Sequence, residues 1–583
     1  MPIERDSSFH CHSVTAALNA AGVGTFQWWL IGYTGLAWAG DACETMLLSY
    51  LGPSVACYWP SIVGPFQESL LTSVVFAGMM FGVCSLGMTA DVLGRRKGFF
   101  LSAAILGIAG VASAAAPSFG VLLLLRTIVG VALGGTPIAV TLFSEFLPSS
   151  RRGSLVLLLQ AAWSIGTVFE AILAWVILPR MGWRWLLVVS ALPMGILLAG
   201  YPWLPESPHW LASQGRMKEA EEVVARVARV NNKIKSETNN SSNAVGAGDG
   251  ASSATTTTHL PRTSTTHAVV HHTSNSHSHS HVSNTSTISL GFSIEETFSR
   301  LQDLAKCTLS NIFSPTLAKT TSLLWAIWFV NALTYYGLVL LTTSIQASSS
   351  GNNENRSGGT GDGSVVVIGS LNQGGASHPR CTPDGRPNLR SSDYLAVLIT
   401  SAAEAPGLLV AAFFIDDKGR VWCLRAGLLL CSACVLTLLA VPSDSLESSS
   451  WSSSIQLALL FIARASIEAS FSVLYVYTPE IYSTKIRAQG LALCNAFSRL
   501  GGFLAPFATV YLVESGRTGA AEGLLGVLLL AAAAAAMALP FETKGVDLGD
   551  EMVDVSDRPN GEQIERERLI SGEGIEVQVS SPR

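Results

Sequence analysis

The sequence predicts an all-α membrane protein, twelve helices in two pseudo-symmetric halves of six. Of its 583 residues, 49% are hydrophobic and only 13% charged, with a mean hydropathy of +0.40; a soluble domain carries about 25% charged residues. Apolar runs long enough to cross a bilayer, which takes about 20 residues, recur along the chain. A charged connection between two such runs, Gly87-Met88-Thr89-Ala90-Asp91-Val92-Leu93-Gly94-Arg95-Arg96-Lys97-Gly98, has an echo in Phe414-Ile415-Asp416-Asp417-Lys418-Gly419-Arg420. Two copies, each flanked by apolar runs, predict two homologous halves.

The runs lie near 28–50, 69–90, 98–116, 119–142, 154–178, 184–204, 319–344, 393–415, 421–441, 455–477, 488–513 and 521–540. This gives an N-terminal segment 1–27, a first half 28–204, a central loop 205–318, a second half 319–540 and a tail 541–583. With the N-terminus inside, Arg95, Arg96, Lys97, Arg151, Arg152, Lys418, Arg420, Arg425, Lys485 and Arg487 fall in cytoplasmic loops, while 51–68, 117–118 and 442–454 carry no Lys or Arg. Positive residues hold loops on the cytoplasmic side, so both termini and the tail are expected there. No removable leader is read at the N-terminus.

The central loop opens with Pro205-Glu206-Ser207-Pro208 and a helix through Lys218–Val230. Residues 236–290 turn to Ser, Thr, Asn and His, cannot bury enough apolar surface to offset chain entropy, and are expected to be disordered. Their histidines read as low-complexity drift, not a metal site. Residues 345–391 are expected as a loop outside, where Asn355-Arg356-Ser357 would be a glycosylation acceptor. Most cysteines fall in apolar runs and act as small hydrophobes. Cys57 and Cys381, both in loops placed outside, are able to bridge. No basic patch suggests nucleic acid, and no nucleophile–base set or cofactor loop suggests an enzyme.

In the 87–98 connection, Gly94 permits a turn with positive φ. Asp91 is suited to accept hydrogen bonds from the free N–H groups at a helix N-terminus, in the other half, and so to hold one conformation closed. Inside the runs, polar residues are functional candidates by default. Asp41 and Glu44 share one face of the first run, and Glu170 sits in the fifth. Asn331 and Tyr335 share a face of the seventh, with Tyr336 next, and Glu404 precedes Pro406 in the eighth. Arg464 has Glu468 one turn on, an expected ion pair. Arg126 is expected nearer a membrane face, with Gly130 and Gly134 one turn apart and open to a close helix approach. Arg499, before Gly501-Gly502, has no acid three or four residues away and reads as the freer cation. Folded inward, these residues make a cavity of cations, carboxylates and aromatic walls. Arg499, Arg464, Tyr335, Tyr336 and Asn331 are the candidates for substrate, and Glu44, Asp41, Glu170, Glu404 and Arg126 for the proton. That chemistry fits proton-linked movement of a small aromatic organic ion.

The connection Gly87-x-x-x-Asp91-x-x-Gly94-Arg95-Arg96 resembles the loop between the second and third helices of major facilitator superfamily transporters. Arg126-x-x-x-Gly130 resembles the superfamily's fourth helix. Glu145 with Arg152, and Glu480 with Arg487, each put an acid and an Arg seven residues apart, as in the sugar and organic-ion branch; Phe541-Glu542-Thr543-Lys544-Gly545 fits the same branch. The resemblance implies that Asp91, Gly94, Arg95, Arg96, Glu145, Arg152, Asp416, Arg420, Glu480 and Arg487 form a cytoplasmic gate. Met46-Leu47-Leu48-Ser49, Gln67-Glu68-Ser69-Leu70, Gly166-Thr167-Val168-Phe169-Glu170-Ala171, Tyr335-Tyr336-Gly337 and Glu404-Ala405-Pro406-Gly407 are similar to plant nicotinate transporters of the NiaP type, also called organic cation/carnitine transporter-like and related to synaptic vesicle glycoproteins. The pattern departs at Asp41, at Glu468 and at Asp417-Lys418. The resemblance implies a monomeric plasma-membrane carrier taking up nicotinate or a related pyridine such as trigonelline with protons, without a cofactor. An organic cation carrier is the alternative, and a non-transporting sensor or trafficking protein the alternative of another class.

Overall fold

Each of the twelve expected runs is helical. The computed structural model describes residues 14–148, 151–245, 313, 317–357, 381–382, 387, 389–441, 450–482, 487–540 and 542–544. The first half comprises α1 (Thr25–Tyr58), α2 (Pro65–Leu93), α3 (Arg95–Ala114), α4 (Phe119–Ser144), α5 (Arg152–Met181) and α6 (Trp183–Trp203). The second comprises α7 (Ala318–Ser357), α8 (Ser391–Lys418), α9 (Arg420–Leu438), α10 (Ser450–Ile481), α11 (Arg487–Pro506, continued to Glu514) and α12 (Thr518–Met537). Eleven of these contain a stretch apolar enough to span a membrane; α1, at 34 residues, is long enough but more polar.

The chain divides into a unit of 1–231 with 310–583, which holds all twelve helices, and a unit of 232–309. The second unit is described only over 232–245, the end of the helix Met217–Val245.

The packing repeats with an offset of six. In the first half α1 packs on α5 and α6, α2 on α4, and α3 on α4 and α6; in the second, α7 packs on α11 and α12, α8 on α10, and α9 on α10 and α12. Between the halves, α2 meets α11 and α5 meets α8, two interfaces that exchange under the same offset. This is the signature of two homologous halves about a pseudo-two-fold axis.

Local sequence explains the joints. Gly94 and Gly419 adopt φ of 107° and 97°, a region open to glycine and strained for other residues. Proline follows the breaks in three spans: α4 restarts at Pro137, α6 at Leu192-Pro193 and α8 at Glu404 with Pro406 in the first turn. In α11, Pro506 is followed by a π turn over Phe507–Tyr511. Gly130 and Gly134 admit a close approach, as expected, and the partner is α2: a Cβ at either would overlap the backbone at Val75, or at Met79 and Val83.

Three boundaries differ from expectation. The helix beginning at Met217 continues to Val245, into the stretch expected to be disordered; 246–290 lies outside the described residues. Helix α7 runs on to Ser357, so the segment expected as loop from 345 begins as helix. Cys57 belongs to the last turn of α1 and is bonded to Cys381, with 5.5 Å between the Cα atoms.

Candidate functional site

At the end of the bundle that carries the Gly94 and Gly419 turns, the two halves repeat one arrangement. Glu206 accepts from the Arg96 N–H at 2.9 Å, at the start of α3. Glu542 accepts from the Arg420 and Val421 N–H groups at 2.8 and 2.9 Å, at the start of α9. The first N–H groups of a helix lack intrahelical partners and the helix dipole favours an anion there. Arg95 contacts Asp91 and lies 3.5 Å from Glu145. Arg420 bonds Asp416 at 3.1 Å and grips Glu480 with two hydrogen bonds, 3.1 and 3.2 Å. Glu480 also accepts from the Thr543 hydroxyl. Burial pushes the Glu145 carboxyl up; hydrogen bonding from Ser207 and the charge of Arg95 pull it back.

These contacts correct two expectations. Among the described residues, Asp91 caps no helix of the other half: its carboxylate meets Arg95 of its own half, and Glu206 does the capping. Glu145 pairs with Arg95, while Arg152 donates to the Leu147 carbonyl at 3.3 Å. The Arg487 side chain lies outside the described ones. Arg96 donates to the Tyr201 carbonyl and stacks its guanidinium 4.5 Å from the Tyr201 ring centroid.

In the interior of the first half, Arg126 is fully buried. It bonds Glu44 at 2.9 Å, Ser113 Oγ at 3.1 Å and the Gly110 carbonyl at 3.4 Å. Glu170 accepts from Ser190 Oγ at 2.9 Å and keeps one oxygen without a hydrogen bond. Asp41 is wholly buried, with the Thr136 hydroxyl beside its carboxylate and the charge of Arg499 acting on it.

In the second half, Arg464 pairs with Glu404 of α8, not with Glu468 one turn away. Glu404 is saturated. Besides Arg464 it accepts from Tyr335 Oη at 2.8 Å and from Thr167 Oγ1 of the first half at 2.9 Å. Trp163 Nε1, also of the first half, donates to Tyr335 Oη at 2.6 Å. A buried carboxylate needs this much pairing, since desolvation otherwise exceeds the Coulomb gain. Asn331 is buried with its amide unpartnered and does not reach the cavity wall.

The cavity lies between the halves and has a volume of about 40 Å³. Trp38, Gln160 and Trp163 line it from the first half, and Tyr335, Tyr336, Glu468, Phe471, Ser472, Tyr475, Ser498 and Arg499 from the second. Arg499 is 3% exposed; its Nη1 donates to Tyr336 Oη at 3.1 Å and contacts Met79 Sδ at 3.4 Å, and its Nε has no partner. No carboxylate lies within ion-pair distance of Arg499 among the described residues.

Away from the Gly94 turn, the halves touch directly. Ser69 Oγ and Ser73 Oγ of α2 donate to the Pro506 and Phe503 carbonyls of α11 at 3.2 and 2.8 Å. Tyr50 stacks on Tyr394, and Phe66 meets Phe507.

Two six-helix halves around a central polar cavity, with matched charged turns at one end, define a membrane transporter of the major facilitator fold. A model of the family described as sugar (and other) transporter matches residues 54–270 and 388–552, and the chain belongs to that family, one of transporters and not of enzymes. It is 36% identical to organic cation/carnitine transporter 7 of Arabidopsis thaliana, over 92% of this chain and 96% of that one. It is also 36% identical to a synaptic vesicle 2-related protein of Xenopus laevis, over 91% of this chain and 81% of that one. Among solved structures, the partially occluded inward-open xylose transporter XylE from E. coli superposes with a TM-score of 0.59 at 15% identity, covering 90% of this chain and all of that one.

Sequence reasoning noted Trp163 and Tyr475 inside their spans but gave neither them nor Thr167 a role, since no local spacing marks a residue that faces a helix of the other half. Glu206 and Glu542 carried a usable signal. Each follows a proline-containing end of its half, and the two loops they cap are themselves repeated.

Proposed function

We propose that the chain carries a small aromatic carboxylate, nicotinate or a related pyridine such as trigonelline, across a membrane together with a proton. The observation that supports this most is Arg499. A guanidinium buried at mid-bundle is costly unless something completes it. Arg499 has a tyrosine hydroxyl, a thioether and, among the described residues, no acid at ion-pair distance, and it faces a cavity. A carboxylate entering there gains two parallel hydrogen bonds, and Tyr336, Tyr475 and Trp38 offer flat faces to its ring.

Asp91, Gly94, Arg95, Arg96, Glu145 and Arg152 on one side, and Asp416, Arg420, Glu480 and Arg487 on the other, act on this reading as clamps that keep each half rigid as it rocks. The Lys and Arg bias puts that end in the cytoplasm with both termini. The Cys57–Cys381 bond fits the same orientation, since it joins residues at the opposite end and disulfides persist in oxidising compartments. The contacts of Ser69, Ser73 and Tyr50 then close the outer side. The protein acts as a monomer in the plasma membrane.

One observation favours a second reading. Glu468 lines the same cavity and has no arginine at ion-pair distance among the described residues, as a site for an organic cation would need, and a relative is named organic cation/carnitine transporter 7. Uptake of radiolabelled nicotinate, trigonelline and a quaternary amine into vesicles, measured in parallel, separates the two. Nicotinate and trigonelline are expected to enter; entry of the quaternary amine alone would overturn the carboxylate reading.

A further inference from the structure

Among the described residues, five buried carboxylates lie well inside the helices, away from the first turns that hold Glu68 and Asp393 and from Glu522 near the start of α12, and the geometry sorts them. Glu44 is bound by Arg126 and Glu404 by Arg464, so each ionised form has its own cation. Asp41, Glu170 and Glu468 have no arginine at ion-pair distance among the described residues. Asp41 and Glu170 are sealed within the protein, at 0% exposure, while Glu468 is 7% exposed and is the one carboxylate on the cavity wall.

We propose that Glu468 is the proton-carrying group: it must hold a proton for a carboxylate ligand to occupy the cavity at Arg499, so proton and ligand cross together. This rests on the carboxylate reading above and deepens it. The groups facing Glu468 are few. Glu404 on α8 adds repulsion, and Arg464 on its own helix is already engaged by Glu404. Tyr335 and Tyr336 on α7 and Tyr475 on α10 are neutral neighbours. Ser472 Oγ, at 3.5 Å, gives it a weak hydrogen bond. Arg499 on α11 is the cation that shares its cavity, and its charge also acts on Asp41 of α1. When a ligand carboxylate takes Arg499, a second negative charge in a desolvated space is expensive. Protonation removes that cost. The O–H bond forms on Glu468 as the ligand enters and breaks on the other side as it leaves. One anion and one proton move, so no net charge crosses.

The test uses the full-length protein in vesicles with labelled nicotinate, against protein-free vesicles as baseline. At one proton per ligand, a one-unit inward pH gradient supports at most about tenfold accumulation. Wild type is expected to approach that limit, and its nicotinate counterflow to weaken as the pH rises. Glu468→Gln carries a permanent neutral mimic of the protonated acid. It is expected to run counterflow with a flat pH profile and to accumulate no nicotinate above equilibrium. Glu468→Asp, which still titrates, is expected to keep accumulation with a shifted pH profile. Gradient-driven accumulation by Glu468→Gln would overturn the proposal while leaving the carboxylate reading intact. Loss of counterflow in both variants, with normal chromatographic profiles, would make Glu468 a ligand contact instead and also overturn it. Absence of nicotinate counterflow in wild type would remove the carboxylate reading and the proposal with it.

Discussion

Glu206 and Glu542 occupy matching positions in the two halves, each closing the N-terminus of the helix that follows a positive-φ glycine. The halves therefore share a turn mechanism: glycine makes room, a carboxylate from the end of the same half fills it, and the arginine after the glycine binds acids of that half. Hydrogen bonds to a charged acceptor contribute about 1.5–3 kcal/mol each in net terms. Glu542→Ala removes three from backbone donors, at Arg420, Val421 and Thr543, against two for Glu206→Ala, at Arg96 and Ser207, so it is expected to lower thermal stability in detergent more than Glu206→Ala. Equal or negligible shifts would contradict this account of the turn.

Gly94→Ala tests the other side of the same turn. Its φ of 107° and the carboxylate of Glu206 against the missing Cβ both oppose a side chain. The left-handed region costs a non-glycine residue about 1–2 kcal/mol before any clash. The variant is expected to melt lower than wild type, and pairing it with Glu206→Ala to recover the clash but not the backbone cost. A melting temperature unchanged by Gly94→Ala would refute the strain argument.

The repeated turn was legible because it is local: Asp, two residues, Gly and Arg recur in order, and a glycine there has one conformational use. The interior was legible only as an inventory. Arg464 has an acid one turn ahead, and the helical neighbour rule gave it Glu468. Glu404 wins because three donors from α7, α10 and the other half converge on it, and convergence between distant helices leaves no mark in spacing. Arg126 and Glu44 were both singled out, but not as partners, for the same reason. Arg499 stood out correctly as lacking an acid on its own helix, and no other helix supplies one at ion-pair distance among the described residues.

Glu404→Gln leaves Arg464 buried without its counter-charge, a change that typically costs about 3–5 kcal/mol. Adding Arg464→Gln is expected to recover part of that loss, so the double variant should melt higher than Glu404→Gln alone. Strictly additive losses would mean that the two residues do not depend on one another.

The stability profile with pH should carry a signature of Glu145. Burial raises its carboxyl above the ordinary value of 4.5, so the folded state holds the proton more tightly than the unfolded chain. The resulting stabilisation is complete below about pH 4.5 and fades as the pH rises through the folded value. Glu145→Gln removes the titration, so the stability of wild type relative to the variant should fall over that window. A constant difference across it would show that Arg95 and Ser207 offset the burial.

The account turns on Arg499, and the most direct measurement compares nicotinate with its uncharged amide on Arg499→Lys. Lysine keeps the positive charge but loses the two-pronged geometry that grips a carboxylate. Binding measured on purified protein is expected to weaken severalfold to tenfold for nicotinate, on the order of 1 kcal/mol, with the amide far less affected. Equal weakening of both ligands, or unchanged nicotinate binding, would mean that Arg499 does not hold the carboxylate.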